Sequence, residues 1–165
     1  MNGPLILREA TQDDRAFLEA MLVEAVNWDP RRDRLAREAI LAEPQHAHYI
    51  AGWKRPGDIG IIVELNGEPV GAAWLRSFAA DDPGYGFIDE RTPEVSIGVV
   101  DEHRGRGIGA ALLEALADRA IQAGHAALSL SVEPDNPAVA LYERHGFVAV
   151  AANGRALTMR RDLRS

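Results

Sequence analysis

Apolar residues change their spacing along this chain, and the changes mark out its elements. PLILREA (4–10) alternates weakly and predicts an opening strand. From Thr11 the spacing becomes helical. Phe17, Leu18, Met21, Leu22 and Ala25 share one face, so a helix runs to about Val26, with Thr11 as its N-cap and Asp14 third after it. Asn27-Trp28-Asp29-Pro30 breaks that pattern, and a shorter helix is expected from about Asp33 to just before Pro44. DIGIIVELNGEPVGAAWLRSF (58–78) holds two β-rich runs around Asn66-Gly67, a strong hairpin signal. Residues 79–92 form a long loop rich in turn formers, and PEVSIGVV (93–100) is the next strand.

Leu112, Leu113, Leu116, Ala120 and Ile121 stripe a helix over 108–124, ended by Gly124. AALSLSVE (126–133) alternates strictly and is a strand. In Pro134-Asp135-Asn136-Pro137, Asn136 suits an N-cap and Pro137 the first helical position, so AVALYERH is a short helix ending at Gly146. FVAVAANGRALTMRRDL (147–163) closes the chain as a hairpin around Asn153-Gly154. The order β, α, α, β, β, β, α, β, α, β, β predicts an α/β fold. Its sheet is mixed, with six to seven strands and about four flanking helices. Strands 93–100 and 126–133 must run parallel, because a helix joins them. Residues 1–165 show no repeat, linker or low-complexity tract and read as one domain.

Composition narrows the chemistry. There is no cysteine, so disulfides, thiolate nucleophiles and sulfur-ligated metals are excluded and a cytoplasmic setting is the default. MNGPLILREA lacks the basic and apolar regions of a signal peptide. No run approaches the ~18 apolar residues of a membrane span, so no membrane partner is expected. The net charge of −7 argues against nucleic acid as a partner. It leaves room for a local phosphate site, since distant acids are screened beyond ~8–10 Å. His46, His48 and His103 have no metal-ligand spacing; they read as surface or loop residues, and no metal is expected. Trp28, Trp53 and Trp74 read as core or cleft wall.

DEHRGRGIGA (101–110) carries the most chemistry. Gly105, Gly107 and Gly109 alternate between a strand and a helix. The first N–H groups of a helix have no partner within it and the dipole leaves that end partly positive, so an anion fits there, and glycine lets it come close. A tight turn is the plain reading. A dinucleotide-binding module is another, because Gly105, Gly107 and Ala110 spell G-x-G-x-x-A and Glu133 ends the next strand. The charged stretch Asp101 to Arg104 before the first glycine, and the position late in the chain, weaken it. The Walker motif fails, as no Gly-Lys-Ser/Thr is present.

VSIGVVDEHRGRGIGAALLEAL (95–116) resembles the acetyl-CoA-binding motif of the GNAT superfamily of N-acetyltransferases: a strand, then Gln/Arg-x-x-Gly-x-Gly/Ala opening a helix. DNPAVALYERHGF (135–147) is similar to the family's second signature, and the two span roughly residues 94 to 148. The resemblance implies a GNAT-like domain whose two central parallel strands splay to admit acetyl-CoA as cosubstrate, and acetyl transfer to a primary amine by direct attack in a ternary complex. It implies that Arg104, Gly105, Arg106, Gly107, Ile108, Gly109 and Ala110 hold the pyrophosphate, the two arginines adding charge. Ile97, Gly98 and Val99 would offer an edge to pantetheine, with a bulge at Gly98 and the Val99 N–H facing the oxyanion. Asn136, or Asp135 in the other alignment of that loop, would touch the coenzyme. A non-catalytic acyl-CoA-binding or sensory domain is the alternative within the same fold, and a homodimer is common in the family.

Acetyl transfer needs a neutral amine. With a pKa near ~10.4, only about one lysine-like amine in ~2,500 is neutral at pH 7, a handicap of roughly 4.6 kcal/mol. A base, acting directly or through water, relieves it. Glu94, which opens the strand ten residues before Arg104, is the candidate base, with Glu133 as the backup base. Tyr142 falls where the family's phenol meets the coenzyme sulfur, and is the candidate acid. For the acceptor, a small-molecule amine or a protein amine, the loop 79–92 offers Asp81, Asp82, Asp89 and Glu90 beside Tyr85 and Phe87, an acidic and aromatic rim suited to a cation.

Overall fold

A computed structural model describes residues 3–163. Among them, seven strands form one sheet: β1 (Leu5–Glu9), β2 (Ile59–Leu65), β3 (Glu68–Arg76), β4 (Glu94–Val99), β5 (Ala127–Val132), β6 (Phe147–Asn153) and β7 (Ala156–Asp162). Their order across the sheet is β1-β2-β3-β4-β5-β7-β6. Every neighbouring pair is antiparallel except β4 and β5. Five helices flank it: α1 (Arg15–Val26), α2 (Arg37–Ala42), α3 (Pro44–Ala47), α4 (Ile108–Gln122) and α5 (Ala138–Arg144).

Strand alternation splits the core in two. On β3, Ala73 and Leu75 pack with Leu112, Leu116 and Ala120 of α4 and Tyr142 of α5. Ala72 and Trp74 point the other way, onto Leu18, Met21 and Leu22 of α1 and Tyr49, Ile50 and Trp53 after α3. The sheet is therefore buried on both faces at its centre. Arg76, on the second face, is fully buried against Asp58 at 2.7 Å and donates to the carbonyls of His48 and Ala51, tying the segment after α3 down. No helix among the described residues is long and apolar enough to cross a membrane.

Three local expectations change. The helix expected from Asp33 begins at Arg37 and stops at Ala42, and Pro44 then opens a separate turn of helix. Asn27 accounts for the late start: its amide bonds the Val23 and Leu35 carbonyls and accepts from the Leu35 N–H, so the chain ahead of α2 is held extended. Asn136 is not the N-cap of α5: that position is Pro137, and the helix begins one residue later than expected, at Ala138, although Asn136 Oδ1 accepts from the Ala138 N–H at 2.9 Å. Gly98 is not a bulge, since β4 pairs with β3 in unbroken register from Glu94 to Val99. Its need for glycine is a close approach, because a Cβ there would collide with the Met21 carbonyl of α1.

Candidate functional site

The two parallel strands touch at one place. Glu94 pairs with Ser129, and the Ser129 N–H donates to the Pro93 carbonyl at 3.0 Å. Beyond that point they part, and the gap widens into a cleft of about 1130 Å³. Backbone alternation decides what faces it. The Val100 N–H donates to Val70, so even-numbered residues of β4 bond to β3. The N–H and C=O groups of Ile97 and Val99 therefore point toward the gap, while those of Gly98 are spent on β3. Gly98 serves the cleft as wall.

At one end of the gap, β4 runs through a 3₁₀ turn (Asp101–His103) into the glycine loop. Gly105 and Gly107 have φ of +80° and +79°, a backbone only glycine adopts freely, and no protein atom lies within 4 Å of a Cβ built at either. Gly107 is the N-cap of α4, and no side chain caps that end. The first N–H groups of a four-turn helix are thus left open toward the cleft, which Gly105, Gly107, Ile108, Gly109 and Ala110 line.

Deeper in, Glu94 is 3% exposed. Its Oε2 accepts from the Tyr49 hydroxyl at 2.6 Å; Oε1 is buried without a hydrogen-bond partner. Burial pushes this carboxyl up to about 7, against the pull of the Tyr49 hydrogen bond and a weaker one from the Gly86 N–H. Tyr142 lines the cleft from the α4 and α5 side, wedged edge-on against Phe147 at 6.0 Å. Burial pushes its phenol pKa up, so it is neutral across the physiological range.

Comparison with known proteins identifies the family. The profile of the acetyltransferase (GNAT) family matches residues 18–147. The chain belongs to this family. It is 32% identical over 131 residues to a mycothiol acetyltransferase of Corynebacterium aurimucosum, a match covering 75% of this chain and 40% of that protein. It is 28% identical over 111 residues to an L-2,4-diaminobutyric acid acetyltransferase of Nocardia farcinica, covering 64% of this chain and 51% of that one. The chain spans less than half the length of the mycothiol acetyltransferases it matches. In fold it is similar to a Salmonella typhimurium protein solved with its cofactor acetyl-CoA, at a TM-score of 0.70 and 22% identity, over 98% of this chain and 95% of that one.

Within this GNAT fold, most of the residues singled out from sequence converge on the one cleft. Glu94, Ile97, Gly98, Val99, Arg104, Gly105, Gly107, Ile108, Gly109, Ala110, Asn136 and Tyr142 all line it. Arg106 does not; it stands exposed beside the His103 ring. Arg104 turns to Asp101 at 3.1 Å and Glu24 at 3.6 Å. Asp135 pairs with Arg31 outside the cleft, which leaves Asn136 as the residue of that turn facing it. Glu133 accepts from Trp28 Nε1 and from both Arg32 terminal nitrogens, and the Arg32 hydrogen bonds hold its carboxyl below the usual range. A carboxylate so engaged is no base, and it is not free for a ribose. With a single parallel strand pair, the sheet is also not a dinucleotide fold.

The acidic rim expected of loop 79–92 is absent from the cleft. Asp89 accepts from Arg91 and Thr92 in its own turn, Glu90 from the Ala80 N–H, and Asp82 binds His48. Tyr85 does reach the cleft, and Phe87 packs into the α1 side core. His46 and His48 are half-buried rather than surface residues, each with a buried, unpartnered ring nitrogen; His46 lines the cleft. Sequence reading missed Tyr49. Its only signal was an isolated aromatic just after two histidines.

Proposed function

We propose that this chain is an acetyl-CoA-dependent N-acetyltransferase that acts on a small-molecule primary amine. Ile97 and Val99 extend their backbone to pantetheine as a strand edge would, and the N–H groups from Gly105 to Ala110 receive the pyrophosphate. Glu94 takes the proton of the attacking ammonium, directly or through a water. The amine nitrogen bonds to the thioester carbon, the Val99 N–H stabilises the developing oxyanion, and the carbon–sulfur bond breaks. The Tyr142 phenol donates its proton to the departing sulfur, and the second proton given up by the acylated nitrogen restores the phenol through solvent. The products are the N-acetyl amine and the free thiol of coenzyme A.

One observation carries this reading: a buried carboxyl, whose pKa burial pushes up to about 7, sits where the parallel strands part, in the cleft that ends at an uncapped helix N-terminus. A base poised near the working pH is what removal of a proton from an ammonium requires. The two relatives described above are named for small molecules, mycothiol and L-2,4-diaminobutyric acid, the second a diamine, which supports a small-molecule acceptor. The test is release of coenzyme A thiol from acetyl-CoA across a panel of small amines, diamino acids and amino sugars. At least one should give turnover above hydrolysis. Tight acetyl-CoA binding with no release for any amine, including peptide amines, would point to the non-catalytic alternative.

A further inference from the structure

Resting on the reading of Glu94 as the base, we propose that Tyr49 is a positioning residue of the reaction: its phenol fixes one oxygen of Glu94 and pins residues 84–86 beside it, so that the other oxygen receives the proton. Tyr49 lies outside both motif regions, in the turn after α3, and is itself immobilised. Its ring meets those of His48 at 4.8 Å and Phe78 at 5.1 Å edge to face, and its carbonyl accepts from Trp74 Nε1 at 3.0 Å. The phenol oxygen then makes two contacts of opposite sense. It accepts from the Tyr85 N–H at 2.8 Å, and it lies 2.6 Å from Glu94 Oε2. A phenol has one proton, and the Tyr85 amide already donates to its oxygen, so that proton points at Glu94. Oε2 is therefore an acceptor in either state of the carboxyl. A proton arriving from the amine is left with Oε1, which is buried beside Gly84 and has no side-chain partner, the Gly86 N–H exerting only a weaker pull on the carboxyl.

The same junction holds the loop. Glycine at 84 is required by close approach: a Cβ there would meet Glu94 Oε1 and lie 2.9 Å from the Tyr49 hydroxyl. Residue 86 presses on the Leu130 backbone across the gap between the strands. Tyr49 thus sets the orientation of the carboxyl and closes the wall beside it. The titratable or polar groups facing Glu94 are few. Tyr49 and Tyr85 come from the segments above it, with His46 and His48 beside them, and Ser129 comes from β5. Arg76, its partner across β3, is committed to Asp58 and two carbonyls. Among the described residues, no charged group acts on Glu94 strongly enough to take over the role of the phenol.

The experiment is the pH dependence of kcat/KM in Tyr49→Phe, with Glu94→Gln run alongside. A donated hydrogen bond favours the ionised carboxyl, so its loss should move the acid limb upward by about 1 to 2 pH units. Above the shifted limb the rate should recover to within a few-fold, with the KM for acetyl-CoA unchanged. Tyr49→3-fluorotyrosine, a stronger donor in the same packing, should move the limb the other way and guards against a folding defect in the first variant. A limb that stays in place in both variants, or a loss equal at every pH, overturns the proposal. Full activity in Glu94→Gln overturns the reading of Glu94 beneath it, whatever Tyr49→Phe does.

Discussion

At the glycine loop the cleft is walled by main chain from one continuous segment, whereas at Glu94 it is walled by side chains drawn from β4, the turn after α3, loop 79–92 and β5. The first end is open, and the binding proposed for it runs through amides that any side chain would only obstruct. The second is buried, and the base proposed there is a carboxyl that folding has moved into an environment it resists. Anion binding needs donors that are already in place and solvent they can reach. Proton abstraction needs a group whose pKa has been shifted, and a shift of that size needs burial.

The largest effect should come from breaking the buried end. Glu94→Gln keeps the shape and the Tyr49 contact but removes the base, and kcat should fall about 10²- to 10⁴-fold. In the native chain kcat/KM should rise with pH through about 7, the value to which burial raises Glu94. The same variant should be more stable above neutrality. The folded carboxyl titrates near 7 and the unfolded one near 4.5, so the unfolded chain releases its proton first and the native fold loses stability as pH rises between them. At pH 8, Glu94→Gln should gain up to about 3 kcal/mol in chemical denaturation, a gap that closes below pH ~4. An inactive variant with no gain in stability would mean that the carboxyl is not strained by burial.

Gly107→Val tests the open end. A β-branched residue at φ of +79° is strained, and its methyls would stand among the amides of α4. No protein atom is in the way, so the fold should survive while acetyl-CoA affinity drops about 100-fold in calorimetry. Wild-type affinity would remove the helix end from the coenzyme site. Tyr142→Phe should be milder still, about 10-fold in kcat with coenzyme affinity nearly unchanged.

The same contrast explains what could be read from the chain before its structure. The open end was legible because its geometry is local: alternating glycines between a strand and a helix specify left-handed turns and an uncapped N-terminus within a few residues. The element order along the chain and the parallel sense of β4 and β5 were legible from hairpin turns and from the helix joining those strands, but the insertion of β7 between β5 and β6 was not. Glu94 was legible as a position, but its environment was not, because Tyr49 stands 45 residues away in a segment whose path depends on the burial of Arg76 and Trp74. The acids of loop 79–92 misled for a related reason. A carboxylate near a turn satisfies nearby N–H groups first, and periodicity carries no record of that.

The smallest expected effect sharpens the contrast most, since it concerns a charged side chain at the open end, the Arg104 guanidinium. Arg104 lines the cleft yet is held by Asp101 and Glu24, and Glu24 also binds Arg34 at 2.6 Å. A coenzyme phosphate must compete with those carboxylates for the guanidinium, and all the partners but Glu24 are well exposed, so each pair is weak and screened by salt. If the amides do the binding, Arg104→Ala should weaken acetyl-CoA only about 2- to 5-fold, and less in 0.5 M salt. Glu24→Gln, which frees the arginine and removes a nearby negative charge, should tighten binding by about 2-fold. A loss in Arg104→Ala as large as that in Gly107→Val would reverse the assignment, making a side-chain charge rather than the helix end the principal phosphate anchor.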